Sequence, residues 1–130
     1  MTSLGDVMTR EVLAVAPEDT LGEAAERMAE RGVGSCVVTD GGRLIGILTE
    51  RDLLRAVAGR VHTSEARVRE WMTVDPVTAS SATSADEALR TMLENGFRHL
   101  PVVEEGRTIG VISLRELIRS TVGIETAAEA

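Results

Sequence analysis

The chain has 130 residues, 43% hydrophobic and 27% charged, which fits one soluble domain or two small halves sharing a core and argues against most multidomain enzymes. Its formal charge of −7 opposes the counterion release that drives general nucleic-acid binding and offers no basic face to an anionic membrane. Aromatic residues amount to 2%, Trp71 and Phe97, so base stacking on an aromatic platform is disfavoured and the core must be aliphatic.

From the N-terminus, residues 1–10 carry Asp6 and neither a leading basic stretch nor a long apolar block, so no secretory signal is expected. No run approaches the 18 or so apolar residues of a membrane span, and a cytoplasmic location is expected. Cys36 is the one cysteine and lies in the apolar run Ser35-Cys36-Val37-Val38-Thr39, which predicts a buried thiol and no intramolecular disulfide. His62 and His99 with one cysteine do not make a zinc constellation, so no metal site is expected. Neither a phosphate loop nor a G-x-S-x-G elbow occurs, and no nucleophile–base constellation marks a catalytic residue, so the expectation is that the chain is not an enzyme.

The sequence repeats itself at an offset of 64. Met8-Thr9 recurs as Met72-Thr73, Glu23-Ala24 as Glu87-Ala88, Met28 as Met92, Gly32 as Gly96, Gly42-Arg43 as Gly106-Arg107, Ile45-Gly46 as Ile109-Gly110, and Leu53 as Leu117. Ungapped recurrence of glycine punctuation and apolar spacing predicts two copies of one supersecondary unit, residues 1–60 and 61–130.

Each copy opens with a short extended segment, Val12 to Val15 and Val77 to Ala79. Thr20-Leu21-Gly22-Glu23 and Ser84-Ala85-Asp86-Glu87 then read as capping boxes that start helices. Leu21, Ala24, Ala25 and Met28 share one helical face, as do Ala88, Leu89 and Met92. Gly32 and Gly96 stand where left-handed C-caps belong. Two β-rich runs follow, Cys36 to Thr39 and Leu44 to Leu48, then Pro101 to Val103 and Thr108 to Ile112, joined by the turns Asp40-Gly41-Gly42 and Glu104-Glu105-Gly106. Second helices start at Thr49-Glu50-Arg51-Asp52 and Ser113-Leu114-Arg115-Glu116. Ala58 to Glu70 is a connection with a helical turn around Arg67 to Trp71, and about 123–130 forms a small acidic tail expected to fray. The fold class is α/β (α+β), two β-α-β-β-α repeats. One copy leaves a sheet face uncovered, so the two are expected to pack with pseudo-twofold symmetry.

Read from the residues alone, Thr49-x-x-Asp52 is either a helix cap or a ligand grip, and the two roles are compatible. An ionised Asp accepts charge-assisted hydrogen bonds from paired donors, while a helix N-terminus adds amide donors and partial positive charge.

These residues resemble a known family. Ala85-Asp86-Glu87-Ala88-Leu89 through Met92, then Gly96-Phe97-Arg98-His99-Leu100-Pro101-Val102-Val103 and Gly110-Val111-Ile112-Ser113, are similar to a CBS domain (the cystathionine-β-synthase motif). Gly46-Ile47-Leu48-Thr49-Glu50-Arg51-Asp52 in copy one is similar to that family's ribose-binding signature. The resemblance covers essentially the whole chain. It implies a tandem pair, or Bateman module, that binds adenosyl ligands in clefts between its repeats and pairs into a homodimer. The expected ligand is AMP, ADP or ATP, with S-adenosylmethionine or an NAD-type molecule as alternatives.

Carried onto this chain, the resemblance implies a first site of Thr49 and Asp52 with Val77, Thr78, Arg98 and His99. Arg98 offers forked donors to phosphate, and His99 a second donor that phosphate would help keep protonated. Ile47, Val77 and Val102 are adenine walls or plain core. The second site takes Leu13, Ala14, Gly34 and Ser35 with Ser113 and Glu116. It departs from the family pattern: Glu116 replaces the Asp, and Gly34-Ser35 replaces the Arg-His pair, so one competent site per chain is expected. Two readings compete, a nucleotide sensor with an unknown regulated partner and an assembly module with vestigial clefts. For the second, Leu53, Leu54, Val57, Leu117, Ile118 and Val122 are candidate dimer residues or, equally, core.

Overall fold

Two tight hairpins organise the chain, and glycine shapes both turns. In the computed structural model, which describes residues 2–122, β2 (Ser35–Asp40) and β3 (Arg43–Thr49) are joined through Gly41 and Gly42 at φ 60° and 83°. β5 (His99–Glu104) and β6 (Arg107–Ser113) are joined through Glu105 and Gly106 at φ 53° and 79°. Positive φ at both central positions gives the twist that antiparallel strands need. Each hairpin carries a register shift at the same repeat position, between Val38 and Thr39 and between Val102 and Val103.

Before each hairpin runs an amphipathic helix, α2 (Leu21–Arg31) and α5 (Ala85–Asn95), ended by Gly32 and Gly96 in left-handed conformation. Thr20 and Glu23 form the complete capping box expected. Ser84 supplies only half of one: its hydroxyl accepts from Glu87 N–H at 3.1 Å, and Glu87 does not return the bond. After each hairpin come α3 (Glu50–Ala58) and α6 (Leu114–Val122). Two elements lie outside the expected set, the single turn α1 (Leu4–Val7) and the strand β4 (Thr73–Val74), while the expected turn near Arg67 is α4 (Val68–Trp71). The extended start of copy one is β1 (Ala14–Val15), parallel to β2. Its counterpart in copy two shrinks to one bridge, Ala79 with Val102.

The compact units and the sequence repeats 1–60 and 61–130 differ by an exchange of two segments, 1–11 and 61–76. One unit is Val12–Pro76, and the other joins the described parts of Met1–Glu11 and Val77–Ala130. In the first, the sheet order is β1-β2-β3-β4, and β4 reaches β3 from beyond residue 60. In the second, Thr9 bridges Val111 of β6 in the same way. The hydrogen bonds that seat these segments correspond at the repeat offset: Val68 N–H to Asp19 O and Leu21 N–H to Ala66 O in one unit, Leu4 N–H to Thr83 O and Ala85 N–H to Thr2 O in the other.

Each unit has a cluster of buried core residues of its own. Leu13, Val15, Leu21, Met28, Val38, Leu48 and Val68 are buried together in the first, with Cys36 and partly buried Trp71 among them. Leu4, Met8, Met92, Leu100, Val102, Ile112 and Leu117 are buried together in the second, with Phe97 packed against them. Each such aliphatic side chain contributes about 1.5–3 kcal/mol when fully buried. Both aromatics therefore serve cores. The expected acidic tail lies outside the described residues.

Candidate functional site

At the end of β3 the backbone stays extended through Thr49 (φ −121°, ψ 167°) and then turns into α3. Thr49 thereby becomes the N-cap. Its hydroxyl accepts from Asp52 N–H at 3.4 Å and donates to Asp52 Oδ2 at 3.1 Å, and its own N–H donates to the same oxygen at 2.9 Å. Asp52 is only 5% exposed. Burying a carboxylate is costly unless its oxygens find donors. Here a single oxygen, Oδ2, takes both hydrogen bonds that Thr49 donates. Among the described residues Oδ1 accepts no hydrogen bond, and Arg55 Nη1 lies 3.8 Å from it.

The corresponding corner of the other unit is closed. Ser113 caps α6 with its hydroxyl accepting from Glu116 N–H at 3.1 Å, and Glu116 Oε1 accepts from Ser113 N–H at 2.9 Å. Glu116 Oε2 accepts from the Thr9 hydroxyl at 2.7 Å. Both helix starts are also less open than the sequence suggests. Glu50 N–H donates to Gly34 O at 3.0 Å and Leu114 N–H to Arg98 O at 2.8 Å, so the first amide of each helix is already bonded within the chain.

The expected residues distribute as halves of each set. Val12–Pro76 holds Ile47, Thr49 and Asp52 together with Leu13, Ala14, Gly34 and Ser35. Within it, Ser35 pairs with Thr49 across the hairpin, and Ala14 with Val37. Leu13 has its side chain in the core, and its carbonyl accepts from Val37 N–H at 3.0 Å. Ile47 is buried in β3 between Val37 and Thr73. The other unit holds Val77, Thr78, Arg98 and His99 with Ser113 and Glu116. Val77, Thr78 and Arg98 are exposed, and His99 pairs with Ser113. Val102 is fully buried in the core. Leu53 packs against the core of its unit and Leu117 lies within the other, whereas Leu54 and Val57 are 68% and 62% exposed and Ile118 41%. Of the Val122 side chain nothing is described.

Two participants escape a reading of the sequence, Arg55 and Thr9. Thr9 does leave a signal, because it recurs as Thr73 at the same offset that relates Asp52 to Glu116. Among the described residues no group of His, Cys, Asp and Glu could hold a metal ion, and no helix is long and apolar enough to cross a membrane. Burial pushes the Cys36 thiol up to about 12.

Two β-α-β-β-α repeats, each ending its hairpin in a capped helix with an acidic third residue, define a tandem CBS pair. The CBS domain model matches residues 4–59 and again 68–123, and the chain belongs to that family. CBS pairs are regulatory ligand-binding modules. An Acidianus ambivalens protein, described as an uncharacterized 17.7 kDa protein in the bps2 3′ region, is 38% identical over 127 residues, 96% of this chain and 76% of its own. A putative signal-transduction protein with CBS domains from Burkholderia ambifaria is 33% identical, with a TM-score of 0.89 over 94% of this chain and 95% of its own. CBSX2, solved in complex with AMP, is 28% identical, with a TM-score of 0.80 over 96% of this chain and 99% of its own.

Proposed function

We propose that this chain is a ligand-sensing module for an adenosyl nucleotide, AMP, ADP or ATP, and acts by binding rather than by catalysis. The carrying observation is Asp52: a buried carboxylate at the start of α3 whose Oδ2 is held by Thr49 while Oδ1 takes no intrachain hydrogen bond from a described residue. Such an oxygen suits the hydroxyls of a ribose. Thr49 positions Asp52, the Arg98 guanidinium and His99 donate to phosphate, Thr78 offers a further hydroxyl, and Val77 and Ile47 supply apolar contact for the base. AMP in the related CBSX2 supports this ligand class.

Binding acts on the state of the assembly, which we propose is a homodimer formed through the exposed Leu54, Val57 and Ile118. A ligand shifts such an equilibrium only by its differential affinity for the two states. The proposed setting is cytoplasmic.

Titration calorimetry tests the reading. Asp52→Ala removes charge-assisted hydrogen bonds worth about 1.5–3 kcal/mol, so AMP binding should weaken about ten- to a hundredfold. Glu116→Ala should leave it unchanged. Equal and negligible effects of the two substitutions would overturn the reading. The same titration with ADP, ATP, S-adenosylmethionine and NAD ranks the candidates. The exposed Leu54 and Val57 favour a second reading, a ligand-independent assembly module. For that reading no nucleotide binds, while Leu54→Glu still dissociates the dimer.

A further inference from the structure

The repeat offset relates Thr9 to Thr73 and Glu116 to Asp52, yet the two pairs are used differently. Thr9 Oγ1 donates to Glu116 Oε2 at 2.7 Å, while Oε1 serves the helix cap at 2.9 Å. Both oxygens of Glu116 therefore have intrachain donors. Asp52 uses Oδ2 for both of its cap bonds, and among the described residues no hydrogen bond joins it to Thr73. The added methylene of glutamate lets one oxygen stay in the cap while the other reaches Thr9.

Thr9 is held in place by its backbone. Its N–H donates to Val111 O at 2.9 Å, and its carbonyl accepts from Val111 N–H at 3.0 Å. The hydroxyl is thus presented at fixed position and needs no immobilisation to bond Glu116, which gives it an entropic advantage over any hydroxyl arriving from solution.

We propose that Thr9 is an internal occupant of the Ser113–Glu116 corner: its hydroxyl takes the acceptor that a ribose hydroxyl would need, and so determines that the chain binds one nucleoside and not two. The inference rests on the nucleotide reading above and names the residue that silences the second copy of its grip. Glutamate in place of aspartate does not by itself remove an acceptor. The occupancy of that acceptor by Thr9 does.

Adenosine is the suitable probe, because it carries the ribose hydroxyls without a phosphate, so its binding reports on the carboxylate acceptor. Calorimetry should give one adenosine per chain for the wild type and two for Thr9→Val, which keeps the backbone bridge to Val111 and loses the hydroxyl. The second affinity should rise about ten- to a hundredfold over the wild type, the weight of a hydrogen bond to a charged acceptor. Thr9→Ser should remain at one, and Thr9→Val combined with Glu116→Ala should return to one. One adenosine in both wild type and a folded Thr9→Val overturns the role of Thr9 and leaves the nucleotide reading standing; two in the wild type does the same. No adenosine in the wild type but one in Thr9→Val upholds Thr9 and overturns the Asp52 site. None in either overturns both.

Discussion

A capping acid can have two occupations at once, and Asp52 and Glu116 separate them. Both hold the start of a helix, yet one spends a single oxygen and the other spends both. The pattern hydroxyl-x-x-acid was legible as a cap or a grip. Which oxygen does the capping was not, because side-chain torsions and a partner 107 residues away decide it. Cys36 illustrates a residue whose chemistry followed directly from its neighbours. Its apolar run predicted burial, and removal from water disfavours the thiolate and pushes the thiol up to about 12. Iodoacetamide at pH 8 should therefore leave the folded chain unmodified and alkylate one thiol after unfolding in urea. The linkage has a definite sign. An unfolded thiol ionises at lower pH than the folded one, so the stabilisation is intact below about pH 9 and is lost as pH rises from there towards 12. Cys36→Ala should flatten that part of an alkaline unfolding profile.

Among the elements, β3 and β6 show why methionine and glycine recur together. A β-carbon built on Gly46 would lie 2.6 Å from Met72 Sδ and 3.0 Å from Thr73 O, and one on Gly110 would lie 2.6 Å from Met8 Sδ and 3.0 Å from Thr9 O. Each glycine is thus the seat of the methionine that arrives with the strand or bridge beside it. Gly46→Ala should cost about 1–3 kcal/mol, as overpacking does, read from the urea midpoint at unchanged slope. Because one obstructing neighbour is a flexible thioether, Gly46→Ala combined with Met72→Ala should cost less than the sum of the two single changes. A negligible effect of Gly46→Ala alone would mean that the methionine can move aside. The glycines and methionines were visible as repeated letters. Their contact was not, since it joins positions 26 residues apart in one unit and 102 in the other.

At the scale of the molecule, each compact unit is assembled from segments that are not one sequence repeat. Leu4 and Met8 lie in the core built by residues 85–117, and Val68 lies in the core built by residues 13–56. Leu4→Ala should therefore cost about 2–5 kcal/mol, the usual range for emptying a core site. Amide hydrogen exchange should place the lost protection in the unit of Val77 and beyond, with Val12–Pro76 less affected. Loss confined to residues 12–60 would contradict the exchange of first segments. The repeat, the β-α-β-β-α order, the left-handed caps at Gly32 and Gly96 and the acids at the second helix starts were all legible in the residues, because each depends on periodicity and chemistry within a few positions. Which first segment completes which unit, and which carboxylate oxygen is already taken, emerged from the folded chain. The two copies carry equivalent segments, Leu4 with Met8 and Val68 with Met72, so local pattern fits either partner equally, and packing between distant parts of the chain makes the choice.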